Sequence, residues 1–461
     1  MTRNWSNQRV LILGAARQGL SLARFLAAHH AQVILNDQRP AEALEKERQS
    51  LAAWPVRWVT GGHPLELLDE ADWICLSGGI PLTLPLVVEA RKRGLPLTND
   101  SQIFMEEVPC PVIGITGSAG KTTTTTLVGR MAQAALQPPR RAWVGGNIGT
   151  PLIDRVTEIQ PSDLVVLELS SFQLELMTRS PQVAAVLNIT PNHLDRHQSM
   201  EAYTAAKAHI LDFQSEENVA ILNREDAGAR GLFSHVKGRL VTFGIRPPSE
   251  GMAGTFIRDD MFYATDGVQE KPLFPLTVNQ LRGEHNLLNV LAACAVGLAA
   301  GFPHGPLRSG VEGFQGVAHR LELVREWKGV RWYNDSIATA PERTLAALRS
   351  FHEPVVLMLG GRDKALPWDD LARAIHERVD HVVVFGEAAE KICRAIGPLK
   401  EGSRPYSLQI CPGVEDAVRA AAQVASPGCV VLFSPGGTSY DEFKDFEERG
   451  ERFRQWVKAL S

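Results

Sequence analysis

Short apolar runs alternate along this chain with longer stretches in which apolar residues recur every three or four positions. The runs at 164–169 and 183–189 are almost continuously apolar, which is typical of strands buried on both faces of a parallel sheet. The intervening stretches, such as 127–135, have the spacing of helices that pack on such a sheet. The pattern therefore predicts an α/β fold.

The length of 461 residues suggests about three domains. We predict an N-terminal Rossmann-like domain at 1–104, a central mononucleotide-binding domain of the P-loop ATPase type at 105–316, and a C-terminal Rossmann-like domain at 317–461. Residues 103–110 are interpreted as a connector. The stretch 238–282 has short strands and turn residues, and we interpret it as a β-rich insertion.

A glycine-rich turn joins an apolar strand to a helix at residues 111–124. The turn ends in Gly-Lys-Thr, so backbone N–H groups, the helix dipole and Lys121 can together bind a triphosphate. The hydroxyl of Thr122 is placed to bind Mg²⁺. The strict pattern requires glycine where this chain has Ile115, whereas Gly114 lies one position early. An ordinary strand-to-helix turn is the alternative, but it gives no reason for a lysine at the helix start.

The composition of the chain argues against nucleic acid and membranes as partners. The formal net charge of −4 gives no basic surface for nucleic acid. No apolar run reaches 18 residues, so we expect no membrane span. The polar start lacks the apolar core of a signal peptide. The six cysteines are scattered without a Cys-x-x-Cys pair, which indicates reduced thiols in a cytoplasmic protein.

The first βαβ unit carries a possible ligand site. Its turn, Gly14 to Gly19, lacks the middle glycine of a dinucleotide fingerprint, which argues against NAD. Asp37 ends the second strand, where a carboxylate can bind a ribose or a base edge, and Arg39 follows it. A Rossmann-like domain without a ligand remains the alternative.

Polar residues follow the central strands. Glu168 ends a strand beside the predicted phosphate loop and is a candidate Mg²⁺ ligand, although a surface carboxylate fits equally well. His193 and His197 have i, i+4 spacing around Asp195, so a transition-metal site is conceivable if the segment is helical. Pro191 favours a turn, in which His193 alone reaches a second Mg²⁺ or the reacting phosphate, or is purely structural.

Further polar residues lie on helices and turns where they could bind a ligand or have an ordinary structural role. Taken alone, Lys207 is a solvated lysine on a clear helix. Asn286 and Asn289 lie one turn apart at a helix start and can face one ligand, although Asn286 could also be a cap. Lys364 follows a strand and two glycines, which is a favourable anion position.

Together these motifs resemble the Mur ligase family along essentially the whole chain. The most specific segments are 114–117, 120–122, 145–149, 168–175, 192–196, 285–286, 319–320 and 334–336. The off-register glycine of the phosphate loop also matches this family.

The resemblance implies a role for each matched position. The catalytic residues are Lys121, His193 and Lys207. ATP is bound by Gly117, Ser118, Ala119, Gly120, Lys121, Thr122, Thr123, Asn286, Asn289, Arg320 and Asp335. Two Mg²⁺ ions are held by Thr122, Glu168, His193 and a carbamylated Lys207. The other substrates are bound by Gly14, Ala15, Ala16, Asp37, Arg39, Ser77, Gly78, Asn147, Thr339, Lys364, Ser439 and Phe446.

The implied reaction is ATP-driven amide formation through an acyl phosphate, which adds D-glutamate to UDP-N-acetylmuramoyl-L-alanine during cytoplasmic peptidoglycan precursor synthesis. We expect a monomer. Two departures affect the amino-acid pocket: Ile337 replaces the family's usual lysine, and the turn at 434–439 differs from the common form. L-Glutamate, another amino-acid-adding ligase, a polyglutamate synthase and a non-catalytic nucleotide sensor are the alternatives.

Overall fold

The predicted alternation of strands and helices is present throughout the computed structural model, which describes residues 3–149, 151–192, 194–364 and 366–461. The side chains of residues 194 and 195 are outside this description. The α/β fold class is confirmed, and three sheets carry it in the described residues.

The first sheet is parallel, with strand order β3-β2-β1-β4-β5. Its strands are β1 (Arg9–Leu13), β2 (Gln32–Asp37), β3 (Val56–Thr60), β4 (Trp73–Leu76) and β5 (Leu97–Thr98). The associated helices are α1 (Arg17–Ala28), α2 (Glu45–Ser50), α3 (Pro85–Lys92) and α4 (Asp100–Glu107), with 3₁₀ turns at Ala41–Leu44 and Leu65–Glu70. Helix α4 occupies the first part of the stretch interpreted as a connector at 103–110, and the sequence analysis did not predict this helix.

The second sheet has the order β14-β13-β12-β11-β10-β9-β6-β8-β7. It is parallel from β7 to β12, and the β12–β13 and β13–β14 pairs are antiparallel. Its strands are β6 (Val112–Thr116), β7 (Ala142–Gly146), β8 (Leu164–Glu168), β9 (Val183–Val186), β10 (Val219–Asn223), β11 (Arg239–Phe243), β12 (Gly254–Arg258), β13 (Met261–Thr265) and β14 (Glu270–Pro275). The β-rich interpretation of 238–282 is confirmed, because these short strands extend the central sheet.

Helices alternate with the strands of this second sheet along the chain. They are α5 (Lys121–Ala135), α6 (Ser171–Leu174), α7 (Leu194–His197), α8 (Met200–Asp212), α9 (Ala227–Arg230), α10 (Glu284–Ala299) and α11 (His304–Val311), with 3₁₀ turns at Leu152–Glu158, Phe233–His235 and Leu276–Val278. The predicted helices after the phosphate loop, around Lys207 and after Gly283 are therefore confirmed. One apolar cluster contains buried residues of both the first and the second sheet, including Val10 and Val165.

The third sheet has the order β15-β16-β20-β17-β18-β19. Only its β15–β16 pair is antiparallel within the described residues. The strands are β15 (Glu322–Trp327), β16 (Val330–Asn334), β17 (Val355–Gly360), β18 (Val379–Phe385), β19 (Ser407–Cys411) and β20 (Val430–Gly436). The helices are α12 (Pro341–Leu348), α13 (Asp369–Arg378), α14 (Ala389–Ile396), α15 (Val414–Val424) and α16 (Phe446–Ala459).

The chain divides into two compact units. One comprises residues 1–280 and 284–314 and carries the first two sheets, and the other comprises 281–283 and 315–461 and carries the third. Each is described separately. The three-domain boundaries at 104 and 316 stay predictions.

Two sequence-based expectations concern the whole chain. Each of the six cysteines is a free thiol, as predicted. Among the described helices, we find none that is both long enough and apolar enough to traverse a lipid bilayer.

Candidate active site

The predicted phosphate loop lies between β6 and α5, at the carboxyl edge of the central parallel strands. Gly120 caps α5 in the left-handed conformation, with φ of 81°. The Nζ of Lys121 turns back over the loop and donates to the carbonyl oxygen of Gly117 at 2.8 Å. Ser118 donates its hydroxyl to the carbonyl oxygen of Thr190 at 2.9 Å, which fixes the loop against the segment after β9. Lys121 and the loop backbone thus lie where a bound polyanion needs them.

Glu168 lies beside this loop because β8 pairs with β6 in parallel, with Glu168 opposite Ile115. Its side chain is 2% exposed. Oε1 accepts a hydrogen bond from Asn147 Nδ2 at 3.0 Å. Oε2 is buried and has no hydrogen-bond partner in the described part of the chain. A buried carboxylate oxygen without a donor is costly unless a cation binds it, so this donor set fits Mg²⁺.

Lys207 is buried, with an exposed fraction of 1%, so the interpretation of a solvated lysine was wrong. Its Nζ donates to the carbonyl oxygen of Gly117 at 3.0 Å and to Thr116 Oγ1 at 3.3 Å. The ring of Tyr203, one turn earlier on α8, lies 4.7 Å from Nζ. Burial, reinforced by the charge of Lys121, lowers the pKa of Lys207 well below its usual value, although Glu168 opposes the shift.

The two asparagines at the start of α10 contact each other and α5. Asn289 Nδ2 donates to Asn286 Oδ1 at 3.0 Å, and Thr124 Oγ1 donates to Asn289 Oδ1 at 3.4 Å. The Asn289 amide therefore lies against α5, which begins at the phosphate loop, and Asn286 is the third residue of α10 and not its N-cap. The prediction for His193 falls outside the described residues. His197 is buried, and its Nε2 lies 2.9 Å from Ser171 Oγ.

The first sheet gathers its predicted ligand residues at the carboxyl ends of β1, β2 and β4. Asp37 accepts hydrogen bonds from the Ala15 amide at 2.8 Å and from Arg39 Nε at 3.0 Å. Burial alone would raise the pKa of Asp37, but its hydrogen bonds with Arg39 and Ala15 lower it. Ser77 donates its amide to Leu13 in the turn next to Gly14. Ala16 is the N-cap of α1.

A small cleft in this same unit opens beside the Ser77–Gly78 turn. Its other lining residues are Leu76, Ile80, Leu82, Asn99, Phe172, Gln173, Glu175 and Leu176. Gln173 joins two of the segments around this cleft, because its backbone carbonyl accepts from Asn99 Nδ2 at 2.7 Å and its Nε2 donates to Ser101 Oγ at 2.7 Å. Sequence reasoning did not single out Gln173 as a site residue, although it stands within the segment 168–175.

In the other unit, Asp335 follows β16 and is buried. It accepts hydrogen bonds from Ser434 Oγ at 2.7 Å and from the Leu321 amide at 3.2 Å. Burial raises the pKa of Asp335 to about 7, and these hydrogen bonds together with Arg320 and Arg343 oppose the shift. Arg320 thus lies close enough to influence the charge of Asp335, and both residues are predicted to bind ATP.

The remaining predicted residues of this unit lie on neighbouring turns. Lys364 Nζ donates to Thr339 Oγ1 at 3.4 Å. Burial, reinforced by Arg343, lowers the pKa of Lys364. Ser439 is buried on the turn after β20, and Phe446 begins α16.

A chain with this phosphate loop and two further nucleotide-binding-type sheets is an α/β protein suited to phosphoryl transfer. Family profiles match three consecutive regions: the N-terminal domain of MurD-like Mur ligases at 8–99, the Mur ligase middle domain at 115–297, and the glutamate ligase domain of Mur ligases at 319–437. The chain belongs to the Mur ligase family.

Individual relatives agree. Proteins named UDP-N-acetylmuramoylalanine--D-glutamate ligase from Symbiobacterium thermophilum and Acetivibrio thermocellus are 40% and 37% identical to this chain. The alignments cover 98% of this chain in both cases, and 98% and 97% of the relatives.

Solved structures show the same fold at low identity. UDP-N-acetylmuramate-alanine ligase MurC from Thermotoga maritima aligns with a TM-score of 0.59 and 19% identity over 98% of this chain and 100% of that one. MurF from Acinetobacter baumannii gives a TM-score of 0.59 and 19% identity over 99% of this chain and 92% of that one.

Proposed function

We propose that this chain is an ATP-dependent ligase that joins D-glutamate to UDP-N-acetylmuramoyl-L-alanine in cytoplasmic peptidoglycan precursor synthesis, acting as a monomer. The observation that carries this proposal is the cluster at the phosphate loop. The side-chain amines of Lys121 and Lys207 both donate to the carbonyl oxygen of Gly117, and within the described residues one buried carboxylate oxygen of Glu168 has no hydrogen-bond partner. The names of the relatives support the choice of amino acid.

In this proposal the phosphate loop and α5 bind the ATP phosphates. Gly117, Ser118, Ala119, Gly120, Lys121, Thr122 and Thr123 form that part of the site, with Asn286, Asn289, Arg320 and Asp335 binding the rest of the nucleotide. Thr122, Glu168, His193 and modified Lys207 would hold two Mg²⁺ ions, which would offset the negative charge of the reacting phosphate and carboxylate groups.

The surroundings of Lys207 support carbamylation of its side chain. The lowered pKa favours the neutral amine, which is the form that attacks carbon dioxide. The amine nitrogen bonds to the carbon and loses a proton, and the product is a carbamate. This converts a buried neutral amine into an anionic oxygen ligand next to Glu168, where two anionic groups suit a hard divalent cation.

The proposed reaction has two steps. A carboxylate oxygen of the alanyl group attacks the γ-phosphorus of ATP, and ADP leaves with the bonding electron pair. The neutral amine of glutamate then attacks the acyl phosphate carbon and gives up one proton, the bond from this carbon to the phosphate oxygen breaks, and inorganic phosphate leaves with the bonding electron pair as the amide forms. Lys121 stabilises the negative charge on the transferred phosphoryl group.

The binding residues of the other substrates are assigned to the three proposed domains, 1–104, 105–316 and 317–461. The uridine diphosphate part would occupy the first sheet's edge, at Gly14, Ala15, Ala16, Asp37, Arg39, Ser77 and Gly78, and Asn147 would contact the sugar part. Glutamate would bind at Thr339, Lys364, Ser439 and Phe446.

Phosphate release tests the proposal. The purified chain is mixed with ATP, Mg²⁺ and UDP-N-acetylmuramoyl-L-alanine, with D-glutamate, L-glutamate or no amino acid. We expect release that depends on D-glutamate and a product whose mass equals substrate plus glutamate minus water. Release only with L-glutamate would correct the amino acid, and no release with any amino acid would support a nucleotide sensor. Lys121→Met serves as the inactive control.

A further inference from the structure

Arg449 is a buried arginine on α16 that none of the proposed roles uses. Its side chain is completely buried, with an exposed fraction of 0%. Nε and Nη2 donate to the hydroxyl and carbonyl oxygens of Ser336 at 3.0 and 2.8 Å, and Nη1 donates to the carbonyl oxygen of Gly437 at 3.0 Å. The guanidinium thus joins two turns that are distant in sequence.

Within the described residues, each of these hydrogen bonds of the guanidinium goes to a neutral oxygen. Burial lowers the pKa of Arg449 to about 10, even though Asp441 and Glu442 act in the opposite direction. A charged group held only by neutral oxygens is costly to bury. Simple packing does not require this cost, because methionine or leucine would fill the same space without a buried charge.

The segments joined by Arg449 carry the proposed glutamate residues. Ser336 stands three positions before Thr339, and its hydroxyl donates to the carbonyl oxygen of Phe446 at 2.8 Å. Gly437 stands two positions before Ser439. One side chain therefore fixes the spacing between the Thr339 turn, the Ser439 turn and the start of α16.

Asp335 is held by other contacts, although it is next to Ser336. Its carboxylate bonds to Ser434 Oγ and the Leu321 amide, and its own amide donates to Phe433 at 2.7 Å. The proposed nucleotide contact should therefore survive changes at Arg449 that disturb the glutamate pocket.

We propose that Arg449 is a positioning residue for the acidic amino acid: it keeps the Ser336 and Gly437 turns at the spacing that lets Thr339, Ser439 and Phe446 bind one ligand. This inference rests on the proposed function. The proposal depends on the planar guanidinium group, which holds three N–H donors in fixed directions toward both turns. A lysine at this position would keep the positive charge but could not contact both turns in this way.

The test compares Arg449→Lys with the wild-type chain in steady-state and partial reactions. We expect the KM for D-glutamate to rise at least tenfold, while the KM values for ATP and UDP-N-acetylmuramoyl-L-alanine stay within about twofold. Acyl phosphate formation without glutamate, trapped with hydroxylamine, should keep the wild-type rate. Ser336→Ala removes one acceptor of the fork and should shift the same KM in the same direction.

Arg224→Lys is the matched control. Arg224 also donates to neutral oxygens, including the carbonyl of Thr255, and burial lowers its pKa to about 10, but it lies in the other unit. The proposal is overturned if the KM for D-glutamate is unchanged in Arg449→Lys and Ser336→Ala, or if all three KM values and the melting temperature change together as in Arg224→Lys. A wild-type chain without D-glutamate-dependent phosphate release would instead refute the proposed function.

Discussion

Lys207 shows how strongly one buried residue departs from what its helix suggests. Lysine side chains are usually solvated, so taken alone this residue type on a helix suggests an exposed position. The structure instead buries its Nζ against Gly117, which lies far away in the chain. No local pattern contains that contact, and only the family resemblance indicated a functional lysine.

The buried amine of Lys207 predicts how stability depends on pH. Its folded pKa is lowered, so between that value and the ordinary value of 10.5, unfolding takes up a proton. Stability from this group is therefore lost as pH falls and gained as pH rises through that window. Lys207→Met should abolish turnover, and the unfolding temperature of the wild type relative to this variant should rise between pH 7 and 9.5.

Thermal unfolding in bicarbonate-free buffer measures this difference. Lys46→Met on α2 is the control, because Lys46 is an exposed helical lysine. A constant difference between wild type and Lys207→Met across this pH range would contradict the prediction.

Asp335 predicts the opposite trend. Its pKa of about 7 in the folded chain exceeds the ordinary value of 3.8, so unfolding releases a proton between those two values. The stabilisation is complete below about pH 4 and is lost as pH rises through 7. Asp335→Asn should be more stable than the wild type at pH 8, by up to about 4 kcal/mol, and close to it at pH 4. Urea unfolding of both forms at the two pH values provides the measurement, and equal differences would refute the assignment.

At the scale of elements, two glycines with the same backbone conformation allow the effect of backbone strain to be separated from the effect of a steric clash in the phosphate loop. Gly120 and Gly301 both have φ of 81°, but a Cβ on Gly120 would lie 2.2 Å from Asn289 Oδ1, whereas a Cβ on Gly301 would meet nothing within 4 Å. Both alanine variants should lose about 1–2 kcal/mol of stability from the left-handed conformation. Only Gly120→Ala should weaken ATP binding, by more than tenfold, because the Asn289 side chain and the loop must move apart.

Isothermal titration calorimetry with Mg²⁺ and a non-hydrolysable ATP analogue tests this comparison. Wild-type affinity in Gly120→Ala would show that the loop tolerates the displacement, and weakened binding in both variants would assign the effect to strain alone.

The sequence predicted well those elements in which the buried positions are the apolar ones. Strands β6 and β8 are buried along their length, so their apolar runs indicated them, and the Gly-Lys-Thr turn indicated the start of α5. Helix α4 was missed because polar and apolar side chains alike are buried along it, including Ser101, Gln102 and Phe104. Hydrogen bonds to Gln173 and Thr178 replace the usual polar face. Periodicity fails where a helix is enclosed in this way.

At the scale of the whole molecule, the sequence indicated that three α/β regions follow one another along the chain. It did not indicate which polar turns within a region contact each other. Arg449 lies in a strongly charged helix, so its sequence context is that of a solvent-facing arginine. Its burial depends on turns more than 100 residues earlier, at Ser336. Long-range contacts of this kind separate the part of the site that a motif predicts from the part that only the folded chain reveals.

The division into two compact units leads to a final prediction about the complete reaction. The residues proposed for the phosphates and the UDP-sugar belong to one unit, and those proposed for glutamate belong to the other. Because the amine must come within bonding distance of the acyl phosphate carbon and water must be excluded, we predict that ligands make the chain more compact. Small-angle scattering should show a smaller radius of gyration when a non-hydrolysable ATP analogue and UDP-N-acetylmuramoyl-L-alanine are added together. The Lys121→Met variant, with its proposed phosphate contact removed, should show a smaller change, and identical wild-type curves with and without ligands would count against closure.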